Sequence, residues 1–497
     1  MSDFRVRFAP SPTGEPHVGN IRTAIFDWLL AQRHGGEFIV RVEDTDRARA
    51  VDGAVEVIIE ALKWLGLEWN EGPDIGGEYA PYKQSERLPL YAKYADRLIE
   101  SGFAYKCYCS PERLIEVRKQ RSKQQNTTGY DRRCRSLSSE ERDALELELR
   151  ARGENPVVRF KMPLEGTTTI DDLVRGEVTF ENRLVDDFVM LKSDGYPTYH
   201  LAHLVDDHEM RITHVLRGEE WLPSVPRHLQ LYAALGWKPP QFAHLPIILA
   251  PDRSKLSKRH GATSLLEYRE MGYLPHTMVN FLTLLGWSLD DKTELFSTES
   301  LIANFSIERV SKAGAIFNTE KLDWMNGHYI REMSANELAD ALLNFWQAYP
   351  PPEIPSLPSR ELALKIAPLV QERMKTLRDA APLVAFLFKE RIEYLPDELI
   401  QRRMDVASTQ MCLEAAHDGL ANLPDFDAES IETLLRGMVK EIDVKAGQLF
   451  GSLRVATTGQ RIAPPLFESL EVLGRDRSLT LIADARDSLD VATAARK

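Results

Sequence analysis

Long apolar runs, cysteine and positive charge are all scarce in this chain of 497 residues. No stretch of eighteen consecutive apolar residues occurs, and the opening MSDFRVRF has no apolar leader core. Neither a membrane span nor export is therefore expected, and a cytoplasmic protein is. Four cysteines in so long a chain argue against a disulfide scaffold and leave reduced thiols or a metal. Acidic residues outnumber basic ones by 75 to 62, a formal net charge of −13. That excludes a chain that is basic throughout, but phosphate binding needs only a local patch. One such patch lies at 110–135, where Arg113, Arg118, Lys119, Arg121, Lys123, Arg132, Arg133 and Arg135 face Glu112, Glu116 and Asp131, an excess of five positive charges. By itself such a run is equally a solvated helix face. The length implies three to five domains rather than one core.

The stretch from Arg5 to Asp46 predicts strand, loop, helix, strand. Phe4–Phe8 alternates bulky apolar and basic residues, and Pro10-Ser11-Pro12-Thr13-Gly14 forces a turn. From Val18 onward Ile21, Ala24, Ile25, Trp28 and Leu29 form one apolar helical stripe, and Gly35-Gly36 supplies a left-handed stop. Phe38-Ile39-Val40 opens a second buried strand. Such a βαβ unit binds ligands beyond the carboxyl ends of its strands, which places Ser11, His17, Gly19, Glu43 and Asp44 around one crevice. The helix is entered through Glu15-Pro16-His17-Val18-Gly19-Asn20, so unpaired backbone N–H groups and an imidazole offer an anion site. Gly19 lets a flat base approach the backbone, and Glu43 suits an ammonium.

A second motif, Lys255-Leu256-Ser257-Lys258-Arg259, follows Pro251-Asp252 and precedes Gly261. Alone it is a solvated basic cluster. Paired with PSPTGxxHxGxxRT it resembles the two signatures of class I aminoacyl-tRNA synthetases, in the form used by bacterial glutamyl-tRNA synthetases. The resemblance extends over essentially the whole chain through EDTD (43–46), PYKQSER (81–87), LKSDGYPTYHLAHLVDDH (191–208), RGEEW (217–221) and KLDWMNGHYIRE (321–332).

The resemblance implies an α/β fold, with a Rossmann-like parallel-sheet catalytic domain in two parts, 1–85 and 201–252. An inserted α+β domain at 86–200 would hold the tRNA acceptor end. A signature-loop and stem-contact domain would span 253–331, and a mainly helical anticodon-binding region of two subdomains 332–497. It implies ligation of L-glutamate to tRNA-Glu, with tRNA-Gln as a second candidate acceptor, by a monomer that uses ATP with Mg2+. His17, Lys255 and Lys258 are the implied catalytic residues, stabilising the phosphate charge and holding the triphosphate. Thr13, Gly19, Glu220, Trp221 and Ile248 complete the ATP site with His17 and Lys258. Arg7 and Arg217, with Tyr199, bracket the substrate side-chain carboxylate, Ser11 and Glu43 serve its ammonium end, and Ala9 and His203 complete the implied glutamate-binding set. His203 stands where the family commonly has an amide, which introduces a titratable group. Arg373 matches an anticodon-discriminating arginine.

Elsewhere, residues 54–66 predict a helix closed by Gly66, and Leu88 opens another. Cys107-x-Cys109 with Tyr130-x3-Cys134 offers zinc three thiolates and a phenolate, an arrangement seen in part of the family; the competing reading is three reduced thiols. Cys412 is expected to be a small core residue. Val205–His208 is expected to mark a strand-to-loop transition, and RGEEW to open a helix whose Arg meets a carboxylate bidentately. The helical C-terminal half, broken by Pro350-Pro351-Pro352, counts against a glutamyl-queuosine synthetase, which resembles only the catalytic half. Intact His17, Glu43, Arg217 and Lys258 count against a non-catalytic tRNA-binding paralogue. The tRNA-binding appendages count against a small-molecule nucleotidyltransferase.

Overall fold

The computed structural model describes residues 3–123 and 129–495, in two compact units. One comprises Met1–Tyr268 with Pro275–Thr319, the other Arg269–Leu274 with Glu320–Lys497.

The first unit begins with β1 (Arg5–Phe8), α1 (Val18–His34) and β2 (Glu37–Val40). β1 and β2 pair in parallel from Arg5 opposite Glu37 to Phe8 opposite Val40. Both faces of this pair are covered, so Val6, Phe8, Phe38, Ile39 and Val40 are all buried. His17 is the N-cap of α1, its imidazole accepting the Gly19 N–H at 3.0 Å. Gly35 ends the helix at φ +57, returning its N–H to the carbonyls of Ala31 and Gln32.

After α2 (Ala54–Trp64) the chain leaves the parallel layer. α3 (Leu88–Glu100), β3 (Ala104–Cys107), α4 (Pro111–Lys123), α5 (Ser139–Ala151), β4 (Val157–Phe160), β5 (Thr167–Asp172), β6 (Gly176–Glu181) and β7 (Val189–Leu191) follow. β3, β4 and β7 form an antiparallel sheet, and β5–β6 is a hairpin running from Thr167 opposite Glu181 to Asp172 opposite Gly176. Ser138 and Glu141 cap α5 reciprocally. Tyr91, Leu98, Phe160 and Met190 of this region share one apolar cluster with Ile39, Leu201, Leu231 and Phe242.

The chain returns through α6 (Tyr199–Glu209), β8 (His214–Gly218), α7 (Val225–Leu235) and β9 (Gln241–Leu245). β8 and β9 pair in parallel, with Arg217 opposite His244. β8 enters beside β1, where the Thr213 N–H meets the Arg5 carbonyl at 3.0 Å. The fold class follows as expected: an α/β Rossmann-like layer with an inserted α+β region, then a helical C-terminal half.

One local expectation is overturned. Val205–His208 lies inside α6, not at a strand end. Leu201, Leu204 and Val205 form its apolar face, and Asp206 and Asp207 are buried beside them. Arg87 and the Tyr91 hydroxyl donate to Asp206 at 2.7 and 2.8 Å. Arg7 and Arg41 pair with Asp207 at 3.0 and 2.8 Å. Carboxylates that look like a polar strand end are thus the inward face of a helix, because arginines from elsewhere in the unit neutralise them.

The second unit is entirely helical among the described residues. Its short segment 269–274 is tied in by the Leu274 N–H to Asn326 at 2.8 Å and the Tyr273 hydroxyl to Asp323 at 2.6 Å. Farther on, Cys412, Leu413, Leu435, Leu453, Leu470 and Ile482 share a buried cluster. No described helix is long and apolar enough to cross a membrane.

Candidate active site

At the carboxyl ends of β1, β2 and β8 lies a cavity of about 640 Å³, walled by Arg7, Ala9, Ser11, Thr13, Glu43, Tyr199, Arg217 and Trp221 among others. A second, of about 200 Å³, is lined by His17, Gly19, Ile248, Lys255 and Leu256. Asn20, Thr23, Gly218 and Glu220 line both, so the two are chambers of one site.

Backbone pairing brings the two distant motifs together. The Val18 N–H bonds to the Thr263 carbonyl at 2.9 Å and the Leu265 N–H to the Pro16 carbonyl at 3.1 Å, stitching the stretch after KLSKR to the start of α1. The N–H groups expected to be unpaired there are therefore taken, Val18 by Thr263, Gly19 by the His17 imidazole, and Asn20 and Ile21 by the His17 carbonyl. The Leu256 N–H turns back to the Ile248 carbonyl at 3.1 Å, which places Lys255 over the smaller chamber. Leu256 is buried and anchors the loop. The backbone of Lys258 begins a short 3-10 turn, Lys258–His260, while its side chain lies outside the described residues. Gly14 takes φ +127 in the first loop, a conformation that favours glycine.

In the larger chamber Arg217 is held on three sides. Its Nε–H donates to His244 at 3.0 Å, one Nη1–H to the Tyr199 hydroxyl at 3.0 Å, and Nη2 meets His228 Nδ1 at 3.3 Å. Two of its five donors, one on each terminal nitrogen, remain uncommitted among the described residues, the fork a carboxylate takes. Arg7 stands on the same wall; burial works most strongly against its charge, but Asp207 and Asp27 together more than offset it and keep it a cation. Glu43 accepts from Arg41 at 3.1 Å, yet burial pushes its carboxyl up to about 7. A cationic ligand beside it would favour the ionised form.

His203 does not line the cavity. Its ring stacks 4.5 Å behind that of Tyr199, fully buried, with Nδ1 at 3.3 Å from Asp207. Burial pushes it down to about 4, so it is neutral at pH 7. Trp221 closes the other side of Tyr199, with ring centroids 4.2 Å apart. RGEEW opens a 3-10 turn, Glu219–Ser224, before α7. Glu219 pairs with Arg175 at 2.6 Å and accepts the Ile247 N–H at 2.9 Å, next to Gly218 and Glu220, which line both chambers. His228, His244 and Asp172 carry no recognisable local motif. The only signal was that a chain with 12 histidines devotes several to α6, α7 and β9.

Away from this site, Cys107, Cys109 and Cys134 place their sulfurs within 4.8 Å of one another. The Tyr130 hydroxyl lies 3.4 Å from Cys107 and 3.6 Å from Cys109. With zinc–sulfur bonds of about 2.3 Å these spacings suit a tetrahedral ion. Arg113 reaches Cys109 at 3.2 Å and the Arg159 guanidinium covers the Tyr130 ring at 3.9 Å, counter-charges for an anionic donor set. Arg373 is exposed in the second unit, in the 3-10 turn Gln371–Arg373.

Comparison with known proteins matches this geometry. A family model of class I tRNA synthetases (E and Q), catalytic domain, covers residues 3–324, and one of an anticodon-binding domain covers 337–486. Glutamate–tRNA ligase of Dehalococcoides mccartyi strain CBDB1 is 55% identical over 484 residues, 97% of each chain. That of Borreliella burgdorferi is 44% identical, covering 98% of this chain and 99% of its own. The crystal structure of a glutamate tRNA ligase from Elizabethkingia meningosepticum, in complex with its amino acid, superposes with a TM-score of 0.87 at 36% identity, covering 98% of this chain and 100% of that one. The chain belongs to the class I aminoacyl-tRNA synthetases of the glutamyl and glutaminyl group.

Proposed function

We propose that this enzyme activates L-glutamate with Mg·ATP, releasing pyrophosphate, and transfers it from the adenylate to the terminal ribose of tRNA-Glu, releasing AMP. The observation that carries the reading is the guanidinium pair Arg7 and Arg217 in one chamber with Glu43, beside a second chamber lined by His17, Gly19 and Lys255. An amino acid with a carboxylate side chain answers both charges of the first chamber. Glutamine would leave a buried guanidinium unpaired, at a cost of about 1–3 kcal/mol or more.

Attack of the α-carboxylate on the α-phosphate is an in-line displacement, for which positioning and charge stabilisation suffice. His17 and Lys258 meet the charge developing on the phosphate, and Lys255 holds the triphosphate. Gly19, Glu220, Trp221, Thr13 and Ile248 seat the nucleoside. Arg7, Arg217 and Tyr199 take the side-chain carboxylate; Ala9, Ser11 and Glu43 take the ammonium. His203 supports Tyr199 from behind. Mg2+ bound with ATP would supply neutralisation of its phosphates. Residues 86–200 receive the acceptor end, 253–331 the stem and 332–497 the anticodon, with Arg373 reading a base there. Cys107, Cys109, Tyr130 and Cys134 hold a structural zinc.

Charging of separated tRNA-Glu and tRNA-Gln transcripts with labelled glutamate tests this reading. Glutamate should load onto tRNA-Glu, and failure to load either transcript refutes the assignment.

A further inference from the structure

Arg217 can present its fork only if its other face is held, and that face is held by histidines whose tautomers matter. The parallel pairing of β8 and β9 sets Arg217 opposite His244. The Arg217 Nε–H points at His244 Nε2 at 3.0 Å, so that nitrogen must be the acceptor and the ring proton must sit on Nδ1. His244 Nδ1 in turn lies 2.5 Å from Asp172 Oδ2. Asp172 ends β5 and is buried, as is His244. Its other oxygen, Oδ1, accepts three backbone N–H groups, from Val174 at 3.0 Å, Arg175 at 2.8 Å and His244 at 3.2 Å. A carboxylate locked in this way can only accept from the ring, which selects the one His244 tautomer that accepts from Arg217. Burial keeps His244 from taking a second proton.

We infer that Asp172 and His244 form a positioning dyad: Asp172, from the inserted hairpin, sets the His244 tautomer, and His244 aims Arg217 at the side-chain carboxylate of the amino-acid substrate. This rests on the reading of Arg217 as the substrate's carboxylate partner and deepens it. The dyad touches neither substrate, so it acts on amino-acid recognition and not on the nucleotide.

Asp172→Asn separates this role from that of a turn. The three backbone donors keep the amide oxygen where Oδ1 was, so the amide N–H faces His244 Nδ1 and moves the ring proton to Nε2, against the Arg217 N–H. In glutamate-dependent ATP–pyrophosphate exchange with tRNA present, D172N should raise KM for glutamate at least about tenfold. KM for ATP and kcat should stay within about twofold. Nitrogen-15 spectra of the histidine rings should show His244 protonated on Nδ1 in the parent and on Nε2 in D172N. An unchanged glutamate KM, or parallel losses in both KM values, would overturn the dyad. If D172N does not fold, His244→Ala and His244→Gln carry the test. The glutamine oxygen still accepts from Arg217, so H244Q should keep KM for glutamate within about threefold while H244A loses about tenfold. Equal losses would overturn the proposal. Arg217→Ala in the same assay examines the underlying reading: retained activation there sinks the Arg217 assignment itself, whereas loss there with an unaffected D172N sinks only the dyad.

Discussion

At the scale of single residues, the larger chamber is a problem of charge in a buried place. Arg217→Ala removes both uncommitted N–H donors, and glutamate activation should fall by at least about a hundredfold with the fold intact, read by pyrophosphate exchange beside a circular-dichroism melt. Activity near the parent rate would exclude Arg217 as the carboxylate partner. Glu43 gives the site a pH signature. Its carboxyl, pushed up to about 7 by burial, binds its proton more tightly folded than unfolded, so its contribution to stability is greatest below the ordinary carboxylate range and is lost as pH rises toward 7. Binding runs the other way, because an ammonium needs the ionised form. KM for glutamate should therefore climb roughly tenfold per unit as pH falls below 7, and Glu43→Gln should flatten that profile while raising KM throughout. A parent profile that is flat between pH 5.5 and 7.5 would contradict the role.

Among the elements, α1 does two jobs with opposite faces. Its N-terminal end lines the smaller chamber with His17, Gly19 and Asn20, while its buried side carries Asp27, whose two oxygens have no hydrogen-bond partner among the described residues. Burial pushes that carboxyl well above its ordinary range, with Arg7 opposing and Asp207 adding to the shift. A raised folded-state value means that stability is present in acid and lost as pH rises. Asp27→Asn should thus leave the melt unchanged near pH 4 and stabilise the protein near neutral pH by on the order of 1–3 kcal/mol; a destabilised variant at pH 7.5 would show that the carboxylate is ionised and partnered. In the inserted region, the loop joining β3 to α4 supplies Cys109 and the short turn after Tyr130 supplies Cys134. Purified protein should carry about one zinc per chain by atomic emission. Cys134→Ser should lose it, with a larger loss in tRNA charging than in pyrophosphate exchange. Full charging by metal-free protein would leave the knuckle without a role.

For the whole molecule, a net charge of −13 coexists with RNA binding because phosphate contacts are local. The anticodon-binding-domain model matches the helical unit, where Arg373 is exposed in a short turn. Arg373→Gln should relax discrimination against tRNA-Gln by about tenfold or more, the worth of one bidentate base contact, in the transcript-charging assay. Unaltered selectivity would remove Arg373 from the recognition set.

Much of this was legible in order along the chain. Residues 4–46 declared a strand, a helix and a second strand, since proline, glycine and apolar period act over a few neighbours and leave their mark locally. The same locality made the two signature motifs readable two hundred and forty residues apart. What the linear order could not display was convergence. Asp206 and Asp207 resembled a polar strand end until Arg7, Arg41 and Arg87 were found around them. His203 seemed a pocket residue until Tyr199 stood in front of it. Asp172, His228 and His244 carried no motif beyond the gathering of histidines in α6, α7 and β9, because a tautomer, a buried ion pair or the free fork of an arginine is a property of groups brought within about 3 Å of each other, and such proximity exists only after the chain has folded.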